Sequence, residues 1–424
     1  MDFRGGVILP VGQKVELKVE KEVEGEPKKK VITGARAIAE AVRLADVDVI
    51  AAYPIRPYTG IMNALAQMIA DGEFDAEIIS ADGEHSQFEI VKHAAAVGAR
   101  TFVGSSGTGA VFAAEAMVAT ALAQVPVVAV IGNRALDDPG NFAMEWNDAF
   151  LYRDVGWLMF WAETPQEAFD MTLMCYRIAE DHKVLLPAML CVDGAPVTHI
   201  ASPVEIPPEE KPKEFLPPYK PPYPLDPDFG PVVKAQHIAP SLIGPELRKL
   251  VDVAMKRARD VIIQAHEEFS KVFGRSYPPF IEADYLDDAE VVLITMGANS
   301  KNVRELVKRK REEGVKIGFV KIRTFRPFPT EELQEVLQNV KAVGVVEYDY
   351  SFGSPYHGGV LFNEVRSALY GMENSPLVLD FIVVGGRELS LANYEVAVDR
   401  VVKAAESGRV EKPVSWLGLR GRDV

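Results

Sequence analysis

Cysteine is nearly absent: the 424 residues hold only Cys175 and Cys191, which do not form a Cys-x-x-Cys pair. A structural zinc site or an iron–sulfur cluster takes about four soft ligands, so neither can be built within this chain. Positive charge is in deficit, with 46 lysines and arginines against 61 aspartates and glutamates and a formal net charge of −15. That balance argues against nucleic acid or an anionic membrane as the main partner, though a local cationic pocket for a small anion remains compatible with it. No apolar run approaches the roughly 18 residues that span a bilayer. The opening MDFRGGVILPVGQ lacks a signal-peptide core, so the expected location is the cytoplasm. No strand pattern is followed by Gly-x-Gly-x-x-Gly and a ribose-binding acid, which disfavours a nicotinamide dehydrogenase.

What the chain does have is alternation of short apolar strands with helices. Residues 1–30 read as an N-terminal extension, in which the valine–charge alternation of Lys14–Lys30 suits an edge strand. Over 31–200 the spacing predicts a helix at Thr33–Ala45 and a strand at Val47–Ala52. A helix that Thr59 can cap follows, then a strand at Ala76–Ala81 and a helix at Glu84–Val97. Next come a strand at Arg100–Val103, a small-residue helix at Ala110–Ala123 and a strand at Val125–Ile131. Thr164-Pro-Gln-Glu167 has the form of a capping box with proline at the first helical position, ahead of a strand at Val184–Val192. Such alternation implies a parallel sheet covered on both faces. Residues 201–285 hold a Pro-rich arm, with eleven prolines from Pro203 to Pro231, expected to be neither helix nor central strand, and then a long helix from Pro245 to about Phe273. A second, smaller α/β pattern occupies 286–424.

Open parallel sheets place ligands at the carboxyl ends of their strands, so the turns there carry the chemistry. Tyr53-Pro-Ile-Arg-Pro-Tyr-Thr59 is a stiff arch that presents Arg56, either as a surface arginine or as a site residue. Ala81-Asp-Gly-Glu-His-Ser86 puts Glu84 at a helix start, where a carboxylate is at home on dipole grounds alone. His85 beside it has a helix-surface role or a cofactor contact open to it. Gly104-Ser-Ser-Gly-Thr-Gly109 is a turn able to hold an anion or let a flat ring approach closely. Asn133-Arg-Ala-Leu-Asp-Asp-Pro-Gly-Asn141 places Arg134 past a buried strand, with an ion pair to Asp137 or Asp138 as its alternative use.

Taken in order, these four turns resemble the pyrimidine-binding alpha subunit of the thiamine-diphosphate-dependent 2-oxoacid:ferredoxin oxidoreductase family. Arg323-Thr-Phe-Arg-Pro-Phe-Pro329, Ser351-Phe-Gly353 and Gly358-Gly359 extend the likeness, which covers about residues 31–410. The resemblance implies a thiamine-diphosphate-binding-type parallel sheet domain plus a smaller α/β domain like the transketolase C-terminal one. It implies that Tyr53, Pro54, Glu84 and Ser106 meet the cofactor, with Glu84 bonded to a pyrimidine ring nitrogen. Arg134 would take the substrate carboxylate. The Gly-Asp-Gly segment and downstream asparagine with which thiamine enzymes usually hold diphosphate and Mg2+ are missing. The resemblance therefore assigns them to a partner subunit, with iron–sulfur clusters on further subunits and coenzyme A as acyl acceptor. A non-catalytic scaffold would be expected to lose Glu84, which is present; a non-redox thiamine lyase subunit would have no cluster-bearing partner.

One departure bears on substrate. The family's arch carries threonine where this chain has Arg56, and paired with Arg134 it suits a dianion, as in oxalate oxidoreductase. Against that, Phe142, Met144, Trp146, Phe150, Leu151 and Tyr152 follow Arg134. They read as core or as an aromatic wall. A wall, with Phe142 in the pocket, tilts the expectation slightly to an arylglyoxylate such as phenylglyoxylate, converted to benzoyl-CoA and carbon dioxide, over oxalate.

Overall fold

Runs of valine, isoleucine and alanine without alternation are strands buried on both faces, and they build two large sheets, beside a two-stranded ribbon, in a computed structural model that describes residues 27–136, 141–232, 243–386 and 389–420. The Thr33 side chain accepts from the Arg36 N–H and ends β1 (Lys28–Thr33) by starting α1 (Gly34–Leu44). There follow β2 (Val49–Ala52), α2 (Thr59–Ala70), β3 (Glu77–Ser80), α3 (Glu84–Val97), β4 (Thr101–Ser105), α4 (Gly107–Phe112), α5 (Ala114–Leu122) and β5 (Val128–Asn133). A single turn of helix, α6 (Asn147–Phe150), precedes β6 (Leu158–Ala162), α7 (Pro165–Ala179) and β7 (Ala188–Asp193).

The Pro-rich segment differs from its expectation. It opens with β8 (Ala201–Ile206), paired antiparallel with β1, so part of the N-terminal run does serve as a strand. It continues with a short helix, α8 (Glu210–Phe215), which tolerates Pro212 because a first-turn N–H has no intrahelical partner. Phe215 packs 5.5 Å from Phe269 and 5.6 Å from Phe273 of α9 (Gly244–Phe273), and the Lys220 carbonyl meets His182. The arm thus lies on its own chain. Residues 1–26 fall outside the described residues.

The remaining elements are β9 (Ile281–Asp284), β10 (Val291–Met296), α10 (Asn299–Glu312), β11 (Ile317–Ile322), β12 (Thr324–Arg326), α11 (Thr330–Leu337), β13 (Ala342–Glu347), α12 (Val360–Ala368), β14 (Leu377–Ile382), α13 (Leu391–Ser407) and β15 (Val414–Trp416). The first sheet runs β12-β6-β7-β5-β4-β2-β3 and the second β15-β14-β13-β10-β11-β9. Their edge strands β12 and β9 pair antiparallel, and the other pairings are parallel. Strand β12 leaves the second unit to join the first sheet, stitching the two together.

Three local expectations are corrected. The small-residue helix is two helices, α4 and α5, meeting at Ala113. Thr59 begins α2 without capping it; its N–H bonds the Ile55 carbonyl at 2.8 Å. Thr164 does cap α7, accepting from the Glu167 N–H at 3.0 Å, but the Glu167 carboxylate takes the Glu163 N–H instead of completing a capping box. Among the described residues no helix is long and apolar enough to cross a membrane.

Candidate functional site

Strands β5, β4, β2 and β3 are neighbours in that order, so the four turns past their carboxyl ends lie side by side. The first turn is the arch, whose Arg56–Pro57 bond is cis. Its Ile55 and Pro57 face inward: a side chain at Gly109 would press on Ile55 Cδ1, and one at Gly132 would stand 2.6 Å from Pro57 Cγ. Tyr58 is fully buried with its ring against Gly104. Arg56 and Pro54 are exposed and Tyr53 is half-buried.

Glu84 opens α3 and is only 6% exposed. Its carboxyl lies against Gly109, so tightly that a Cβ there would come well under 3.0 Å from Oε1. Burial raises its pKa above the ordinary 4.5, opposed by a backbone hydrogen bond and by the positive charge of Arg134. Ser106 is buried and donates its hydroxyl to the Ser105 carbonyl at 2.7 Å. Gly107 adopts φ +49°, and a Cβ on it would stand 2.6 Å from Arg134 Nε. The guanidinium of Arg134 lies 5.2 Å from the ring centre of Phe142, which is 59% exposed. Glu84, Ile55, the Gly107–Gly109 turn, Arg134 and Phe142 therefore form one group. Among the described residues no hydrogen bond or ion pair joins Arg56 to it. The proposed pairing of Arg134 with Asp137 or Asp138 falls outside the described residues.

The aromatic wall is corrected. Trp146, Phe150 and Tyr152 are fully buried and Met144 nearly so. Phe150 lies 4.6 Å from Phe325 and 5.3 Å from Trp161, and Trp146 lies 5.8 Å from Tyr348. They are the apolar core between the two sheets. Leu151 is exposed, and of the six only Phe142 stands beside Arg134.

Sequence reasoning missed the residue that ties the turns together. Asp148, fully buried, accepts from the N–H groups of Gly107 (2.8 Å), Arg134 (3.1 Å) and Ala149 (2.9 Å) and from Asn133 Nδ2 (2.8 Å). Burial pushes its pKa up to about 6 against those donors. The signal was a carboxylate inside an apolar run, which must find donors where it is buried. Buried polar atoms left without a partner here include Gln87 Oε1, Asn133 Oδ1 and Arg134 Nε. His85 turns away to Glu115 at 2.8 Å. His85, Glu89 and Glu115 are the one described group whose donor atoms, within 4.8 Å of one another, could hold an ion, and Lys92 already pairs with Glu89 at 2.5 Å.

The motifs of the second unit have structural uses. Gly359 lets the start of α12 close on buried carboxylates: Gly359 N–H donates to Asp380 (2.8 Å), Val360 N–H to Asp349 (2.5 Å) and Leu361 N–H to Glu347 (2.7 Å). Arg323 reaches Glu167 and Glu282, and Arg326 reaches Glu364 at 2.7 Å.

Residues 40–267 match the family model for the thiamine-diphosphate-binding domain of pyruvate flavodoxin/ferredoxin oxidoreductase, and residues 289–394 the model for pyruvate:ferredoxin oxidoreductase core domain II. The pyruvate synthase subunit PorA of Pyrococcus abyssi is 40% identical over 396 residues, 93% of this chain and 99% of that one. The ketoisovalerate oxidoreductase subunit VorA of Pyrococcus horikoshii is 37% identical over 94% of this chain and all of its own length. Among solved structures, 2-oxoglutarate:ferredoxin oxidoreductase from Magnetococcus marinus, with 2-oxoglutarate, coenzyme A and succinyl-CoA bound, aligns with TM-score 0.66 at 18% identity. The alignment covers 90% of this chain and 66% of that one, a likeness of fold. This chain belongs to the 2-oxoacid:ferredoxin oxidoreductase family, as a homologue of its PorA and VorA subunits.

Proposed function

We propose that this chain forms the cofactor-activating half of a thiamine diphosphate site in an enzyme that oxidatively decarboxylates a 2-oxoacid bearing an apolar substituent. The observation that carries the reading is the buried Glu84 carboxyl, pressed on Gly109, which Ile55 also borders, and within the field of Arg134. Burial favours the protonated carboxyl that a ring nitrogen would meet, and the missing side chain at Gly109 is what lets the carboxyl sit this close to the backbone. When bound, thiamine diphosphate supplies the electron sink for decarboxylation. Arg134 takes the substrate carboxylate, and Phe142 beside it covers the substituent. Ile55 and Pro57 present an apolar floor that excludes water.

The diphosphate and Mg2+ fall to a partner subunit, in keeping with the missing Gly-Asp-Gly segment, and the iron–sulfur clusters to further subunits, since the only two cysteines are both buried in the core. Coenzyme A accepts the acyl group. With one aromatic side chain left of the wall, the arylglyoxylate reading rests on Phe142. Branched and short aliphatic 2-oxoacids, such as the pyruvate and ketoisovalerate in the names of the Pyrococcus relatives, suit the same apolar floor. Oxalate keeps a claim through Arg56, exposed and without an acidic partner among the described residues.

The test is dye reduction by the purified native complex with pyruvate, 2-oxoisovalerate, phenylglyoxylate and oxalate, each with and without coenzyme A. Coenzyme-A-dependent turnover of a monocarboxylate is expected, with Glu84→Gln reducing it on the order of 10²–10⁴-fold. Coenzyme-A-independent turnover of oxalate alone overturns the substrate reading, and full activity of Glu84→Gln overturns the role of Glu84.

A further inference from the structure

Asp148 never reaches the open face of the site, yet each end of the site hangs on it. One carboxylate oxygen, Oδ2, accepts from both Gly107 N–H and Arg134 N–H, bridging the turn after β4 to the turn after β5. The other, Oδ1, accepts from Asn133 Nδ2 and Ala149 N–H, fixing the end of β5 and its own helix. Gly107 and Arg134 are so close that a Cβ on the glycine would collide with the arginine side chain. Two residues further along the same turn, Gly109 bounds the Glu84 carboxyl.

The position of Asp148 is itself fixed from the second unit. Asn147 and Tyr350 exchange hydrogen bonds, Asn147 Nδ2 to the Tyr350 carbonyl at 2.8 Å and Tyr350 N–H to Asn147 Oδ1 at 3.1 Å. The Trp146 N–H donates to the Tyr348 carbonyl at 2.7 Å. Helix α6 is thus a strut with one end in the second sheet's loop and the other under the active-site turns.

We infer that Asp148 is a positioning residue that sets the distance between Arg134 and the Gly107–Gly109 turn, and so the place of the substrate carboxylate relative to Glu84. The inference rests on the reading of Arg134 as the carboxylate anchor. A buried carboxylate with four donors has little freedom, and losing it removes the hydrogen bonds that carry the link between the two turns beyond the end of the β4–β5 ladder.

The experiment compares Asp148→Ala, Asp148→Asn and Arg134→Ala in the assembled complex. It uses whichever of pyruvate, 2-oxoisovalerate and phenylglyoxylate the parent turns over fastest, with KM and kcat expressed per thiamine-loaded site. Asp148→Ala is expected to raise KM on the order of 10–100-fold, more than it lowers kcat. Asparagine keeps its oxygen as acceptor for Gly107 and Arg134, and once the Asn133 amide turns over its nitrogen can donate to Asn133 Oδ1 at the loss of the Ala149 bond alone, so Asp148→Asn is expected to restore most of KM. A purely structural role would lower the thermal midpoint and the loaded fraction and leave KM per loaded site unchanged, which overturns the inference. Equal KM defects in Asp148→Ala and Asp148→Asn also overturn it. If Arg134→Ala itself leaves KM unchanged, the anchor reading fails first. If Arg134→Ala raises KM and Asp148→Ala does not, only the positioning role fails. Should Asp148→Ala not assemble, Asp148→Ser, with one shorter acceptor, carries the same comparison.

Discussion

Replacing Glu167 with glutamine takes one charge out of the ion network that joins the two sheets, and its cost can be worked two ways. Glu167 sits in the first turn of α7 and accepts from Arg323 Nε at 2.6 Å and Lys321 Nζ at 2.9 Å. Arg323 is fully buried and Lys321 nearly so, so water cannot replace the lost carboxylate. Burial pushes the Glu167 carboxyl up, but Arg323 and Lys321 outweigh it and hold the pKa at about 2 against 4.5 unfolded. That depression converts to ~3 kcal/mol at neutral pH. Breaking one partner of a buried ion pair gives about 3–5 kcal/mol independently. Glutamine keeps the shape, so a cavity term does not enter. The folded pKa is the lower one, so this stability is complete above about 4.5 and is lost as pH falls towards 2. The penalty of Glu167→Gln is therefore expected to be ~3 kcal/mol at pH 7 and to shrink towards pH 3. The assay is the urea midpoint of the complex by tryptophan fluorescence, with Trp146 and Trp161 at the junction as reporters. A penalty below about 0.5 kcal/mol at pH 7, the level of an ordinary surface change, would refute the argument, as would one that stays constant on acidification.

Gly109→Ala should displace the Glu84 carboxyl, since the added methyl falls on Oε1 and on Ile55 Cδ1. Turnover is expected to drop on the order of 100-fold while the thermal midpoint moves little; a large loss of stability with activity per folded site intact would sink the claim. Glu145 carries the opposite sign from Glu167: burial and the charges of Asp148 and Asp349 push it up to about 7 against a bond from the Gly385 N–H. The folded form then binds more protons than the unfolded between about pH 4.5 and 7, so stability falls as pH rises through that window. Glu145→Gln should therefore stabilise by ~1–3 kcal/mol at pH 8 and by almost nothing at pH 5; thermal shift at the two pH values checks it, and equal effects at both would refute it.

Elements marked by strong local chemistry were legible. Helix α3 begins at Glu84 after the Asp-Gly turn and ends at Gly98, which takes φ +111°. Strand β2, at Val49–Ala52, falls within the Val47–Ala52 run that apolar spacing puts there. Strand β6 was not legible: Leu158-Met-Phe-Trp-Ala162 is apolar at every position, has no alternation, and follows a segment already rich in aromatics. The same cause misled the reading of Trp146, Phe150 and Tyr152. Their partners Trp161, Phe325 and Tyr348 come from separate stretches of chain, and apolar residues that close a junction look no different in sequence from those that line a pocket.

The candidate site shows why motif and geometry are separable. Each turn announced itself by proline, glycine or a charge at a strand end, but their adjacency depends on the strand order β5-β4-β2-β3, which no turn encodes. Glu84 and Arg134 are brought into electrostatic contact by strands that are not consecutive in the chain. The spacing between them is then trimmed by Asp148, which belongs to a third segment and is held by Tyr350 through Asn147. A sequence motif can therefore name the two groups proposed here to serve the cofactor and the substrate carboxylate, while their separation, on the same proposal, is set by α6 and the loop it leans on. Substitutions in the second unit that shift Tyr350 should accordingly be felt at Arg134 before they are felt at Glu84, because Asp148 bonds the Arg134 backbone directly and reaches Glu84 only through Gly107 and Gly109.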